Sequence, residues 1–229
     1  MSVYACSDLH GCWEQWNKIR QLLKEDDILF VLGDCIDRGD NGIAILNEAL
    51  EDKRIILLCG NHEDMMIQAI EEMQVGDDYW SWIWFNNGGH ATYNDWAANS
   101  CDMELIKKLE RLPLFAEYQN CTGARILLNH SGIVPKTGYG PNTCGRKALL
   151  WDRKHIDEVK WHSRDYDIVV HGHTPVPYMP KYEHMNEVDI PAEPYWYCDG
   201  HKCNIDLGGV FTGKFCLLDL DTFESRIIE

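Results

Sequence analysis

Five apolar runs in this sequence end in residues that could hold a metal ion. Residues 3–6 lead into Asp8-Leu9-His10-Gly11, and residues 29–32 lead into Gly33-Asp34-Cys35-Ile36-Asp37-Arg38-Gly39. Residues 54–59 run into Gly60-Asn61-His62-Glu63, residues 125–128 into Asn129-His130-Ser131-Gly132, and residues 168–170 into His171-Gly172-His173. Each fragment alone is ordinary. Asp, Arg and Gly are common turn residues, Asn61 could be a helix cap, and His62 a surface histidine. Their order and their shared position after apolar runs make chance a poor explanation. Carboxylates, imidazoles and an amide oxygen, with no thiolate required, form a mixed nitrogen and oxygen donor set. Such a set suits Mn, Fe, Zn or Co better than Ca or Mg.

Those residues need elements that bring them to one edge. Short apolar runs bounded by glycine and polar residues read as buried strands, and acids and bases delivered to strand C-termini are the usual layout of an α/β active site. Between the strands, Trp13, Trp16, Ile19, Leu22 and Leu23 have helical spacing over 13–24, and 43–50 reads as a second helix. The stretch 64–120 reads as mostly helical and without obvious chemistry: Met65, Met66, Ala69, Ile70 and Met73 form a core-type stripe, and Trp80, Trp82 and Trp84 read as packing. A further helix over 102–112 is stopped by Pro113. Residues 175–197, rich in proline and aromatics, read as a long loop or irregular hairpin near the site. Residues 204–209 and 214–219 read as a closing antiparallel pair. With no repeat, linker or low-complexity tract, residues 1–229 read as a single domain.

Composition sets the outer bounds. The 229 residues are 45% hydrophobic and 25% charged, ordinary for a soluble globular protein. A formal net charge of −16 argues against a nucleic-acid backbone or an anionic membrane as partner. No apolar run approaches the ~20 residues of a membrane span. The ten cysteines, with no secretory signal before them, are expected to be reduced thiols of a cytoplasmic protein.

The ordered set Asp8-Leu9-His10-Gly11, Gly33-Asp34-Cys35-Ile36-Asp37-Arg38-Gly39, Gly60-Asn61-His62-Glu63, His130-Ser131-Gly132 and Gly172-His173-Thr174 resembles the calcineurin-like metallophosphoesterases. Within them it is most similar to the phosphoprotein-phosphatase branch, in particular the bacterial and bacteriophage-lambda-type Ser/Thr phosphatases. The resemblance implies an α/β fold with a central β-sandwich of two mixed sheets flanked by helices. It also implies two divalent transition-metal ions, Mn first, with Fe, Zn or Co as alternatives. By matching position, Asp8, His10 and Asp34 hold the first metal, and Asp34 bridges to a second completed by Asn61, His130 and His173. His171 is the disfavoured member of its pair, and Pro175 stands where many other members of the superfamily have a further histidine ligand.

The resemblance likewise implies the reaction. A hydroxide between two metals ~3.5–4 Å apart attacks phosphorus in line, Arg38 and Arg153 bind the phosphate, and His62, oriented by Asp37, protonates the leaving oxygen. The expected substrate is a phosphoserine, phosphothreonine or phosphotyrosine protein, or a small phosphate ester. A dinucleoside-tetraphosphate hydrolase or phosphodiesterase on the same core is the alternative. An inactive metal-binding scaffold is disfavoured, because His62 and all six ligand positions are present.

Two departures stand out. Cys59 occupies the position before Gly-Asn-His-Glu where protein phosphatases of the branch usually carry arginine. It either leaves room for a different substrate group or faces the core. Cys198, His201 and Cys203 have half the donors of a zinc site and no evident second half, and read as incidental.

Overall fold

A computed structural model describes residues 1–133, 144–157, 160–181 and 192–229. Two five-stranded sheets form its centre. The first has the order β10-β9-β1-β2-β3, built from β1 (Val3–Cys6), β2 (Ile28–Val31), β3 (Ile55–Leu57), β9 (Phe215–Asp219) and β10 (Ser225–Ile228). The second has the order β4-β5-β6-β8-β7, from β4 (Phe115–Gln119), β5 (Arg125–Asn129), β6 (Ile168–His171), β7 (Tyr195–Tyr197) and β8 (Lys202–Asn204). Each sheet has three parallel strands, β1, β2 and β3 in one and β5, β6 and β8 in the other; β9 and β10 add antiparallel pairings on one side of the first, and antiparallel β4 and β7 flank the second. This is the expected sandwich of two mixed sheets.

Strand periodicity decides which residues fill the space between the sheets. Val3, Ala5, Phe30 and Leu32 of the first sheet meet Ile126, Leu128, Val170 and Cys203 of the second. Their neighbours Leu29 and Val31 point the other way, into a larger core with Trp16, Ile19, Ile45, Leu46 and Met65. That outer core belongs to α1 (Trp13–Leu22), α2 (Gly42–Glu51), α3 (Asn61–Val75), α4 (Tyr79–Asn86), α5 (His90–Ala98) and α6 (Met103–Glu110). The outer face of the second sheet carries only a small group around Leu127, Tyr166 and Val169, and α7 (Arg146–Trp151) lies between β5 and β6 in the chain.

Register lines up the functional ends. Cys6 pairs with Val31 and Val31 with Leu57 in one sheet, while Leu128 pairs with Val170 and Val170 with Cys203 in the other. The parallel strands of each sheet therefore stop level, and the loops that follow them gather at one edge.

One expected pairing is overturned. Residues 204–209 and 214–219 do not form an antiparallel pair: β8 ends at Asn204 inside the second sheet, Gly209–Thr212 forms a single helical turn (α8), and β9 pairs with β1 and β10 in the first. The chain crosses from one sheet to the other here, and a period-2 apolar pattern does not encode the partner strand. The stretch 64–120 is helical as expected only to Glu110, after which 115–119 is strand. Of the expected loop over 175–197, Val176–Lys181 is a 3₁₀ helix and β7 a strand, and 182–191 lies outside the described residues. No described helix is long and apolar enough to cross a membrane. Among the described residues no cysteine is joined in a disulfide.

Candidate metal centre

Asp34 is the hub of the site. It follows β2 in left-handed backbone, as do Asp8, His10, Asp37, Arg38 and His173. This conformation is uncommon for residues other than glycine, and its concentration at one edge marks loops held by their surroundings. Two glycines show why. A side chain on Gly60 would collide with the Asp34 carboxylate, and one on Gly172 with Asp8 and Ser7.

Three buried imidazoles face the Asp34 carboxylate. Its Oδ2 lies 3.4 Å from His130 Nε2 and 3.8 Å from both His10 Nε2 and His62 Nε2. Its Oδ1 accepts the main-chain N–H of His62 at 3.0 Å, at the start of α3, where the helix dipole favours an anion. Two groups of candidate ligand atoms share Asp34: His10 with His62, and His130 with His173. Asn61, the first residue of α3, places Oδ1 2.9 Å from His130 Nε2 and 2.8 Å from His173 Nδ1. Asp8 stands a little apart from these groups, its Oδ2 accepting the Ser7 hydroxyl and the His173 main-chain N–H.

The donor set fits divalent ions. His10 Nδ1 donates to the Ile36 carbonyl at 2.8 Å and His130 Nδ1 to that of Leu32 at 2.7 Å, which turns the Nε2 of each ring toward Asp34. Such second hydrogen bonds orient histidine ligands. His173 Nε2 is buried without a hydrogen-bond partner. Electrostatics agree. Burial alone would raise the Asp34 pKa, yet the surrounding imidazoles of His130, His62 and His10 hold it well below the usual carboxylate range. Burial, joined by Asp34, raises that of Asp8. For His130, burial opposes protonation, but the Asp34 and Asp8 carboxylates prevail and push its pKa up to about 9.

The pair expected to act as acid and orienting base, His62 and Asp37, lies beside the hub. His62 Nδ1 donates to Asp37 Oδ2 at 2.6 Å, and Arg38 Nη2 donates to His62 Nε2 at 3.1 Å. The Arg38 guanidinium also meets His10 Nε2. Arg153, just past α7, is close enough for its charge to depress the His173 pKa, after burial the largest effect but one.

Sequence reasoning gave no role to four supporting residues. Trp84 of α4, read as packing, is fully buried and donates Nε1–H to both Asp37 oxygens, at 3.0 and 2.9 Å. Thr92 of α5 accepts the Asp37 main-chain N–H. Glu63 accepts the main-chain N–H groups of Cys35, Asp34 and Gly60, each at 2.8 Å, tying the loop after β2 to the start of α3. A fourth, Asp206, follows β8, the remaining parallel strand, and is buried near Asp8. Only its place after an apolar run could have signalled it.

The departures resolve in opposite ways. Cys59 is buried, its thiol 3.5 Å from Nη2 of Arg146, whose Nε holds Asp64 at 2.6 Å. Cys59 thus faces inward and a second arginine already covers it. Among the described residues, Cys198, His201 and Cys203 form no metal group: Cys203 lies in the inter-sheet core, and His201 stacks on Trp161.

The family model for calcineurin-like phosphoesterases matches residues 1–207. The chain belongs to this family. Its members are metal-dependent phosphoesterases, so the chain is a metal-dependent hydrolase. A serine/threonine-protein phosphatase 1 of Salmonella typhimurium is 26% identical over 219 residues, 94% of this chain and 90% of that protein. An asymmetrical bis(5'-nucleosyl)-tetraphosphatase of Anoxybacillus flavithermus is 23% identical over 250 residues, 95% of this chain and 90% of its own. Among solved structures, a candidate diadenosine tetraphosphatase superposes with a TM-score of 0.66 at 14% identity, covering 99% of this chain and 92% of that one.

Proposed function

We propose that residues 1–229 act as one cytoplasmic domain that hydrolyses phosphomonoesters, with phosphoserine and phosphothreonine proteins as first substrates and phosphotyrosine within reach. The observation that carries this reading is the Asp34 carboxylate faced by His10, His62 and His130, beside the His62–Asp37 pair. In this reading Asp8, His10 and Asp34 hold one divalent ion, and Asp34, Asn61, His130 and His173 hold the other, with Mn preferred over Fe, Zn or Co. When bound, the ions supply positive charge for the phosphoryl oxygens and lower the pKa of water.

The chain's own residues do the rest. Arg38 and Arg153 present planar guanidinium forks to the phosphate edge. Drawing Arg38 onto phosphate frees His62 Nε2, which then holds the proton destined for the leaving oxygen. Asp37 receives Nδ1–H and stabilises the imidazolium, and Trp84 keeps the carboxylate facing it. The centre also explains how an acidic protein binds an anion: two ions of +2 with two arginines outweigh Asp8 and Asp34.

A second reading, hydrolysis of a dinucleoside tetraphosphate, is favoured by the nearly full-length relative of that activity. Metal removal with a strong chelator followed by Mn²⁺ add-back is the first experiment. Aryl phosphate hydrolysis should vanish and return, and full activity in protein verified metal-free would refute the reading. Phosphopeptides and a diadenosine polyphosphate, assayed side by side, then separate the two readings.

A further inference from the structure

A cavity of about 440 Å³ lies alongside this centre. From α3 it is lined by Asp64 and Gln68, three and seven residues beyond Asn61 and so on the helix stripe that begins at the metal centre. From α7 comes Trp151, whose ring lies 6.4 Å from that of His173, nearly perpendicular to it. From α4 come Tyr79 and Trp80, with ring centroids 5.9 Å apart in an edge-to-face pair. One turn further along α4, Trp84 holds Asp37. Each of the three helices therefore reaches both the cavity and the reacting groups.

The walls select by chemistry. Tyr79, Trp80 and Trp151 offer π-faces suited to a planar ring. The charge of Arg146, another lining residue, is offset by its ion pair with Asp64, leaving Lys147 as a single cation and Gln68 as a donor and acceptor. A polyanion would find little net charge here, and a small alkyl group would leave the ring faces unused. The lining comes entirely from helices, so no strand edge is offered to an extended peptide.

We propose that the cavity is a leaving-group subsite taking a planar aromatic ring carried on the alcohol side of the scissile phosphoester. The proposal rests on reading the Asp34 centre as a phosphoesterase. The test is a matched pair on the full, Mn²⁺-loaded chain: 3-phenylpropyl phosphate against propyl phosphate. Their leaving alcohols have similar acidity and differ in the ring. The aromatic ester should be preferred roughly 10-fold or more in kcat/KM, the scale of one ring-stacking contact. The preference should collapse toward unity in Trp80→Ala and in Tyr79→Ala; Tyr79 is 61% exposed, so that variant places little strain on folding.

Equal kcat/KM for the two esters in the wild type, or a preference kept in both variants, would overturn the subsite while leaving the phosphoesterase reading in place. Absence of hydrolysis of either ester, and of an aryl phosphate, would overturn both. A nucleoside 5'-phosphate, a phosphotyrosyl peptide and a phosphoseryl peptide then identify the source of the ring. Faster turnover of either ring-bearing substrate, sensitive to Trp80→Ala, supports the proposal, and equal turnover of all three counts against it.

Discussion

Two groups of buried histidines sit at the end of β6, and they are opposites. On one side, His130 and His173 face the Asp34 carboxylate. On the other, His171 and His155 sit with Lys202 and Tyr197: the Tyr197 hydroxyl lies 2.8 Å from His171 Nε2 and 3.3 Å from His155 Nδ1, and Lys202 Nζ is 3.3 Å from the same nitrogen. His171 and His173 are two residues apart, of one type and equally buried. Burial, with help from Lys202, pushes the His171 pKa down to about 3, and burial with the charges of His130 and Arg153 lowers that of His173 as well; His130, against the Asp34 and Asp8 carboxylates, is pushed up to about 9. A carboxylate-centred group gathers cations, and an ammonium-centred group repels them. Burial of a histidine therefore says little about ligation; the charge it faces decides.

The largest expected effect comes from removing the shared charge. Asp34→Asn should empty both ion sites, and turnover should fall to background with them. Metal analysis checks this, and full retention of either ion would break the contrast between the two groups. His62→Asn should keep the ions yet slow an alkyl phosphate by roughly 10²–10⁴-fold, and slow a nitrophenyl phosphate less, because nitrophenolate leaves with little protonation. Equal slowing of both esters would remove His62 from the acid role.

Trp84→Phe keeps a buried ring but removes the N–H that holds Asp37. Turnover of the alkyl phosphate should fall about 10-fold, as for other residues that orient a functional group, with metal content intact. A loss shared equally by nitrophenyl phosphate would indicate general loosening of α4 instead.

The smallest effects belong to the lysine-centred group. His171→Gln, which keeps an acceptor for Tyr197, should leave metal content unchanged and turnover within about twofold, well below the change expected of a lost ligand. His155 is held well below its ordinary pKa by burial and by Lys202. Its neutral form is the one the fold favours, so this contribution is complete above about pH 6.5 and is lost as pH falls. In metal-free protein, denaturant titrations should therefore show a shallower acid decline for His155→Gln, by up to about 1.4 kcal/mol per pH unit below that point. Parallel declines for variant and wild type would show that His155 is protonated in the fold.

Much of the candidate site could be read from the chain because its polar residues cluster at strand ends, and short apolar runs announce strand ends. Asp8, His10, Asp34, Asn61, His130 and His173 were all visible in that way. Trp84 was not, since a tryptophan at helical spacing in an apolar helix looks like core, and its N–H has no expression in hydropathy. Asp206 was hidden by the misassigned pairing of residues 204–219.

What the sequence by itself determined is five of the parallel strands (β1, β2, β3, β5 and β6), their polar C-terminal residues and the donor chemistry those residues allow, because these depend on local periodicity and residue type. Only the tertiary structure decided the rest. It put His173 beside Asp34 and His171 within reach of the Lys202 charge, covered Cys59 with Arg146, and brought α4 to Asp37. Each of these depends on which charge or donor arrives from a distant part of the chain. Those partners are fixed by sheet order and helix packing, which no local pattern specifies.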